Sequence, residues 1–540
     1  MIFNALSMEY FRKNYTTYIL YFILLLVIVP LETIGLSYFY SQISSTKTKN
    51  RLFIIFLLIT IIVVLGVCYY VKQCIDTNLI PTFLSFSRQK LFENSLYYYE
   101  NTPITIPISS FINHVIHSTS LHQGILYNSI NSFLPGALII VIVIAFLFFI
   151  DPWVAVVCMI GILVIYLVIV YLGRKAIRDS MKKEEHYMTM SSHIHEKFSN
   201  IENIYLNSSL GRENDDIKKV DDAYCWHYKQ ALKTPSLLYL IIVILIIVLF
   251  SVCVMMLYYK HKNKIIADSL YITTVILLGY FLTTSIRLCS SMPEYFDQIG
   301  MYKHSEKVLE DILHYKPADS SPDVTEPTTV EGPIVFSHVT FAYPDNRPIL
   351  RDFSLTIPAN RITVLRGRSG IGKTTLFRLL LRFYNITSGS ITLHGIDISR
   401  YPIQLLRKRV IYLNQKTHLF NLSVYENMIY GNDPGVWTPQ AIRSLLTRYD
   451  LFQNFPNGLD IRVGENGQRI SLGMQKLVIL IRGILKDGSI YIFDEPLSGL
   501  DASSRQKVIR MITEHMRQKT VIIITHDNEI LSISDHVIDL

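Results

Sequence analysis

Apolar positions crowd the first 290 residues of this 540-residue chain and thin out afterwards. A helix rises 1.5 Å per residue, so a bilayer core of about 30 Å takes about 20 apolar residues. Six stretches suit that length: 15–40, 52–71, 133–150, 154–172, 237–259 and 269–289. They predict six membrane-spanning helices. The first is too long for a cleavable signal, and no small-residue cleavage site follows it. The connections after the first, third and fifth stretches are short. Those after the second and fourth are long, polar and helical in period, as in 87–99 and 180–205. Short hairpins therefore lie on one side of the membrane and long helical excursions on the other.

The pattern changes at 316–333, KPADSSPDVTEPTTVEGP, which has the composition of a linker. It separates a membrane domain, 1–315, from a second domain, 334–540. In the second domain strand and helix signals alternate. Strands are predicted at 334–343, 361–367, 410–415, 489–495 and 520–526, and helices at 373–384, 439–449, 471–485 and 503–515. Thr438 followed by Pro439 is a favourable cap and first turn. Such alternation implies an α/β domain with a largely parallel sheet covered by helices. The fold class is an all-α six-helix transmembrane domain followed by an α/β domain.

Composition agrees with a membrane protein. Only 17% of residues are charged, against about a quarter in soluble domains. The net charge of +8 fits anionic lipid headgroups, and no basic-aromatic stripe points to nucleic acid. The six cysteines, Cys68, Cys74, Cys158, Cys225, Cys253 and Cys289, show neither CxxC nor Cys/His metal spacing, so free thiols are expected. Glu32 and Arg287 are ionisable residues in or near spans one and six, candidates for a pathway role, although snorkelling from the end of a run also accommodates them.

The strongest chemical signal is Gly367-Arg368-Ser369-Gly370-Ile371-Gly372-Lys373-Thr374-Thr375. It is a complete GxxxxGK[ST] loop between a predicted strand and a predicted helix, the context that motif requires. Its backbone N–H groups suit phosphates at a helix N-terminus. Lys373 would reach the β- and γ-phosphates of ATP, and Thr374 would ligate Mg²⁺. The apolar strand Ile490-Tyr-Ile-Phe-Asp494-Glu495 ends in two carboxylates. Asp494 would hold Mg²⁺, and Glu495 would orient and deprotonate the attacking water. Because ATP is cytosolic, this domain is placed in the cytosol. Six spans then put the N-terminus and both long excursions there too. Lys47, Lys49, Arg51, Lys260, Lys262 and Lys264 fall in loops assigned outside, against the positive-inside rule.

At these residues the chain resembles the ABC transporter family, and the match runs over its whole length. The resemblance gives Tyr343 the role of stacking on adenine. Gln415, in Tyr412-Leu-Asn-Gln415, is implied as the loop glutamine that senses Mg²⁺ and the membrane domain. Ser498-Gly-Leu-Asp501 matches the loop that crosses to the partner domain, and His526 matches the switch histidine at the γ-phosphate. A six-span domain fused ahead of its ATPase domain looks like an exporter half-transporter. Val463-Gly464-Glu465-Asn-Gly467 resembles the exporter X-loop. Coupling helices are expected near 101–112 and 207–213. The resemblance implies a dimer with twelve spans and two ATP sites.

The signature departs from the family. Where it reads LSGGQ, this chain has Ile470-Ser471-Leu472-Gly473-Met474. Ser471 and Gly473 keep their expected contact with ATP held by the opposite domain. Leu472 should crowd that contact, because close approach of backbone to phosphate favours glycine. A heterodimer, with an intact signature on the partner chain, is the favoured assembly; a homodimer is the alternative. The chain also stops 14 residues after His526, where relatives usually continue with another strand and a helix. The substrate is left open among lipids, peptides and amphipathic small molecules. An ATP-gated channel or regulatory protein, and an importer, are the rival readings.

Overall fold

The structure, a computed structural model, describes residues 2–45, 51–102, 108–314, 332–343, 348–368, 370–414 and 417–540. The linker positions 316–331, the phosphate-loop Ser369, the loop Gln415, and 103–107 of the first expected coupling segment lie outside the described residues. The chain divides into two units, one of residues 1–98 and 104–316 and one of 99–103 and 317–540.

In the first unit, six helices are long and apolar enough to cross a membrane: Tyr15–Tyr40, Leu52–Glu100, Phe111–Ile150, Pro152–Ser199, Leu210–Lys262 and Leu270–Val308, here spans 1 to 6. Five of them, all but span 1, far exceed the bilayer, with 39 or more residues each. Span 5 has 53 residues, about 80 Å at the helical rise. The polar excursions are therefore continuations of the spanning helices. Spans 4 and 5 are joined by a short helix, Ile201–Leu206, and a turn at 207–209. The second coupling segment is helical at Ile201–Leu206, ahead of the expected 207–213.

Apolar side chains on the outward faces, such as Phe149, Tyr171 and Leu240, stay exposed, as a lipid-facing surface requires. Inward, Val143, Leu147, Val154, Cys158, Cys253 and Leu257 form a packed core. The turn between spans 3 and 4 is built by Asp151, whose side chain caps span 4 by accepting from the N–H groups of Trp153 and Val154 at 2.9 and 3.1 Å. Lys260, at the end of span 5, pairs with the same carboxylate. One of the cations that conflicted with the orientation is thus neutralised. Deeper into the polar extensions, Gly300 lets span 6 touch span 4: a Cβ there would fall 2.4 Å from that of Ser180. All six cysteines are free thiols.

The second unit holds two sheets. The five-stranded sheet is wholly parallel, in the order β6-β7-β8-β3-β9. It comprises β3 (Ile362–Arg366), β6 (Val410–Leu413), β7 (Ile490–Asp494), β8 (Thr520–Ile524) and β9 (His536–Asp539). Side chains alternate across it as the pleat demands. Ile492 and Ile522 face a core with Phe336, Leu376 and Phe377, while Phe493 and Ile523 face one with Val478, Ile481, Val508 and Ile512. The sheet is thus covered by Leu472–Ile484 and Ala502–His515 on one face and by Lys373–Leu380 on the other. A second, antiparallel sheet was not anticipated. Its order is β2-β1-β4-β5, with β1 (Ile334–Phe341), β2 (Leu350–Ile357), β4 (Ser388–Leu393) and β5 (Ile396–Asp397). β4 and β5 close through the two-residue turn His394-Gly395, where both residues have positive φ, 53° and 78°.

Candidate functional site

The parallel sheet brings distant motifs to one edge. β7, β8 and β3 are neighbours, so the segments leaving their C-terminal ends converge. This is where open parallel sheets hold ligands. The loop after β3 runs into helix Lys373–Leu380. Gly372 caps that helix at φ 104°, and a Cβ there would come 3.1 Å from Ile349 Cγ2. Both the left-handed backbone and the close approach require glycine. Lys373 folds across the loop and donates to the carbonyls of Gly367 and, at 3.3 Å, Arg368.

β7 delivers Asp494 opposite the helix start. Thr374 Oγ1 donates to Asp494 Oδ2 at 3.4 Å, and Tyr412 Oη, from β6, donates to the same oxygen at 3.3 Å. Burial pushes the Asp494 carboxyl up; the Tyr412 and Thr374 donors and the nearby Lys373 and Lys476 pull it back. Burial lowers the Lys476 ammonium against the pull of Asp494 and Glu495. Glu495 is in the left-handed region, φ 51°, with its N–H donating to Ile524 O at 2.9 Å. Thr525 Oγ1 donates to its carboxylate at 3.2 Å. Such strain persists where surrounding contacts over-determine it and concentrates at functional sites. Lys373, Thr374, Thr375, Asp494, Glu495 and His526 line one cavity of about 320 Å³.

The remaining candidates fall into two groups. Tyr343 lies beside the loop helix: its hydroxyl hydrogen-bonds Thr375 Oγ1 at 3.1 Å, and its ring stands edge-on to Tyr384. Arg368 and Ile371 are exposed at the loop's rim. Ser471, Gly473 and Asp501 do not line the cavity. Ser471 caps Leu472–Ile484, its Oγ accepting from Met474 N at 3.3 Å. Asp501 caps Ala502–His515, accepting from Ser504 N at 2.9 Å and Ser504 Oγ at 2.7 Å, which holds its carboxyl low. Leu472 is 61% exposed and leans over Gly499, where a Cβ would lie 3.4 Å from its Cδ2. Three residues beside the acid pair were not anticipated: Tyr412, Thr525 and Lys476. Tyr412 and Thr525 belong to motifs read for another residue, Gln415 and His526.

Known proteins give the same picture. The family model described as ABC transporter transmembrane region matches residues 15–285, and the model described as ABC transporter matches 350–498. The chain belongs to the ABC transporter family. It is 35% identical to the ATP-dependent lipid A-core flippase of Sodalis glossinidius (strain morsitans) over 212 residues, which are 39% of this chain and 36% of the relative. It is 36% identical to the mitochondrial iron-sulfur clusters transporter ATM1 of Debaryomyces hansenii over 228 residues, 41% of this chain and 32% of the relative. The chain thus spans about a third of the length of the curated relatives it matches. A solved bacterial Atm1-family ABC exporter with ATP bound is similar in fold over 98% of this chain and 93% of that one, with a TM-score of 0.85 and 17% identity.

Proposed function

We propose that this chain is one half of a dimeric exporter driven by ATP hydrolysis. The observation that carries this is the single cavity shared by Lys373, Thr374, Asp494, Glu495 and His526, at the sheet edge where the loop glycines open a helix. Lys373 is placed to exchange its loop carbonyls for the β- and γ-phosphates. Glu495, held by Thr525, takes a proton from water as that oxygen attacks the γ-phosphorus and the bond to ADP breaks. His526 donates to the γ-phosphate. The hydroxyl of Thr374 and the carboxylate of Asp494 are hard oxygen donors, chemistry that suits Mg²⁺, which when bound neutralises phosphate charge. Gln415 is a third proposed ligand.

Ser471 and Gly473 stand apart from this cavity, as residues that serve a partner's nucleotide would. Ser471 Oγ accepts from its own helix and keeps its hydrogen free for a phosphate oxygen. The exposed Leu472 obstructs that approach, and this supports a heterodimer whose partner brings an intact signature to the Glu495 site. We place the N-terminus and the nucleotide unit in the cytosol, with ATP there and Lys260 already paired to Asp151. Lipids, peptides and amphipathic small molecules are the substrate classes that fit the apolar spans.

Turnover of the purified chain in lipid nanodiscs, beside Glu495→Gln, tests the assembly. ATP should bind, and turnover should stay at the variant's level. Turnover of about 1 s⁻¹ or more, at the low end of typical enzymes, that vanishes in Glu495→Gln would establish a working homodimer instead.

A further inference from the structure

Two spans carry a wide turn, and both wide turns face the same space. Leu31–Gly35 interrupts span 1 directly after Pro30, and Ser129–Phe133 interrupts span 3 shortly before Pro135. A π turn inserts an extra residue into the helical repeat and re-aims side chains; such turns concentrate at functional sites. Glu32 comes from the first and Asn131 from the second. With Tyr69 and Lys72 of span 2 and Arg287 of span 6 they line a cavity of about 420 Å³. That size falls within the range of small-molecule sites, about 300–1,000 Å³.

The charges there are not matched to one another. Lys72 is satisfied: it pairs with Asp76 at 3.0 Å, donates to Asn131 Oδ1, and lies over the Tyr21 ring. Asn131 Oδ1 also accepts from Tyr21 Oη at 3.2 Å, yet its Nδ2 is buried with no partner. Glu32 accepts from Tyr69 Oη at 2.5 Å. Among the described residues, no ion pair joins Glu32 to Arg287, which is exposed; Tyr280 also hydrogen-bonds Glu32, and Glu32 and Arg287 both act on the Tyr69 and Tyr280 hydroxyls. A carboxylate and a guanidinium of the span helices thus line one cavity without pairing with each other, and ionisable groups in spans are functional candidates. A guanidinium presents a planar fork that fits a phosphate or carboxylate. Glu32 offers acceptors to an ammonium. Leu25, Ile28 and Ile139 complete the wall and suit an apolar tail.

We propose that this cavity is the substrate site and that it takes a zwitterionic amphiphile, with the acidic group on Arg287 and the ammonium on Glu32. The proposal rests on the export reading for the word substrate, whereas binding itself needs no hydrolysis. The same chemistry is offered by a lipid with a phosphate-ammonium headgroup and by a short apolar peptide with free termini.

Equilibrium binding to the full chain in uncharged maltoside micelles, without nucleotide, separates these cases. The probes are lysophosphatidylethanolamine and trileucine, each beside its N-acetylated form. At least one zwitterion should bind, and the one that does identifies the source. Glu32→Gln should weaken that zwitterion about tenfold, as loss of one charge-assisted contact does, and leave the N-acetylated form unchanged. Arg287→Gln should weaken both forms; Arg287→Lys should restore part of the loss, and it stands in if the glutamine variant does not fold. Binding of neither probe by the wild type, or equal losses for zwitterionic and N-acetylated forms in Glu32→Gln, would overturn the proposal. Hydrolysis without binding sinks the site and spares the export reading. Binding without hydrolysis, even beside a partner chain, does the reverse.

Discussion

His394 and Gly395 form the two-residue turn between β4 and β5, with both residues at positive φ. That backbone is a type I′ hairpin turn, for which Asn-Gly is the preferred pair. Histidine meets the geometry less well, and its buried ring nitrogens make no well-formed hydrogen bond, only a weak one with the Gly332 backbone. Burial, with Arg409 nearby, pushes the imidazole below its ordinary value. The fold therefore prefers neutral His394. An unfolded chain takes up a proton near pH 6.5, and the folded one resists it. The stability this group contributes is complete above that pH and is lost as the pH falls toward the lowered folded value. His394→Asn should narrow the drop in melting temperature between pH 7.5 and pH 5.5, and at pH 7.5 it should be no less stable than the wild type. An unchanged drop would show that acid acts elsewhere, with His515, whose imidazole is also pushed down, as the next group to replace.

Between elements, the long helical extensions are held by polar ties, because their surfaces no longer face lipid. Lys183 of span 4 is 6% exposed; its ammonium reaches both carboxylate oxygens of Asp297 on span 6 at 2.7 Å and lies over the Tyr228 ring of span 5. Removing one partner of a buried pair leaves an uncompensated charge, at about 3–5 kcal/mol when burial is complete. Asp297 is about one-third open, so Asp297→Ala should cost less, about 2 kcal/mol. Lys183→Met combined with Asp297→Ala should recover most of it. Thermal unfolding of the four chains in nanodiscs measures the coupling, and strictly additive losses would mean the pair contributes nothing.

The same scale shows what was legible in the sequence. The apolar runs marked all six spans because bilayer thickness fixes their length. The excursions between them were read as helical but separate, since hydropathy changes where a helix leaves the membrane while its backbone does not. In the second unit the buried strands β3, β6, β7 and β8 stood out as apolar runs. β2, β4, β5 and β9 did not: β2 carries charged Arg351 and Asp352 on its exposed positions, β5 has two residues, and β9, which pairs with β3, lies after His526, where the chain was expected to lack the further strand of its relatives. The phosphate loop and the acid pair were legible because their chemistry needs fixed residues at fixed spacing. Tyr412 was not, since its hydroxyl meets Asp494 only through the pairing of β6 with β7. The two π turns have no signature in composition, and so Glu32 and Arg287 remained separate candidates until folding put them on one cavity.

For the whole molecule, the decisive position is Leu472. It opens a helix whose N-terminus and capping serine are the groups that would face a partner's γ-phosphate. A helix N-terminus favours phosphate only where backbone can approach it, and a side chain that is 61% exposed stands at that approach. The described residues that line the Glu495 cavity come from one chain, so in two identical copies the opposing signature is the departure from the family pattern. Losing one aligned donor to a developing oxyanion slows reactions by about 100- to 1,000-fold. Leu472→Gly with Met474→Gln should therefore raise the turnover of the chain alone by about 100-fold, and Glu495→Gln in that background should abolish it. Neither change touches the residues that line the Glu495 cavity, so a gain would arise across a dimer interface, in trans. Turnover that is already high and does not respond would show that leucine is tolerated and that the chain works as a homodimer. Absence of turnover in both chains, with ATP bound, would remove hydrolysis by this chain from the account and leave nucleotide binding as the driving event.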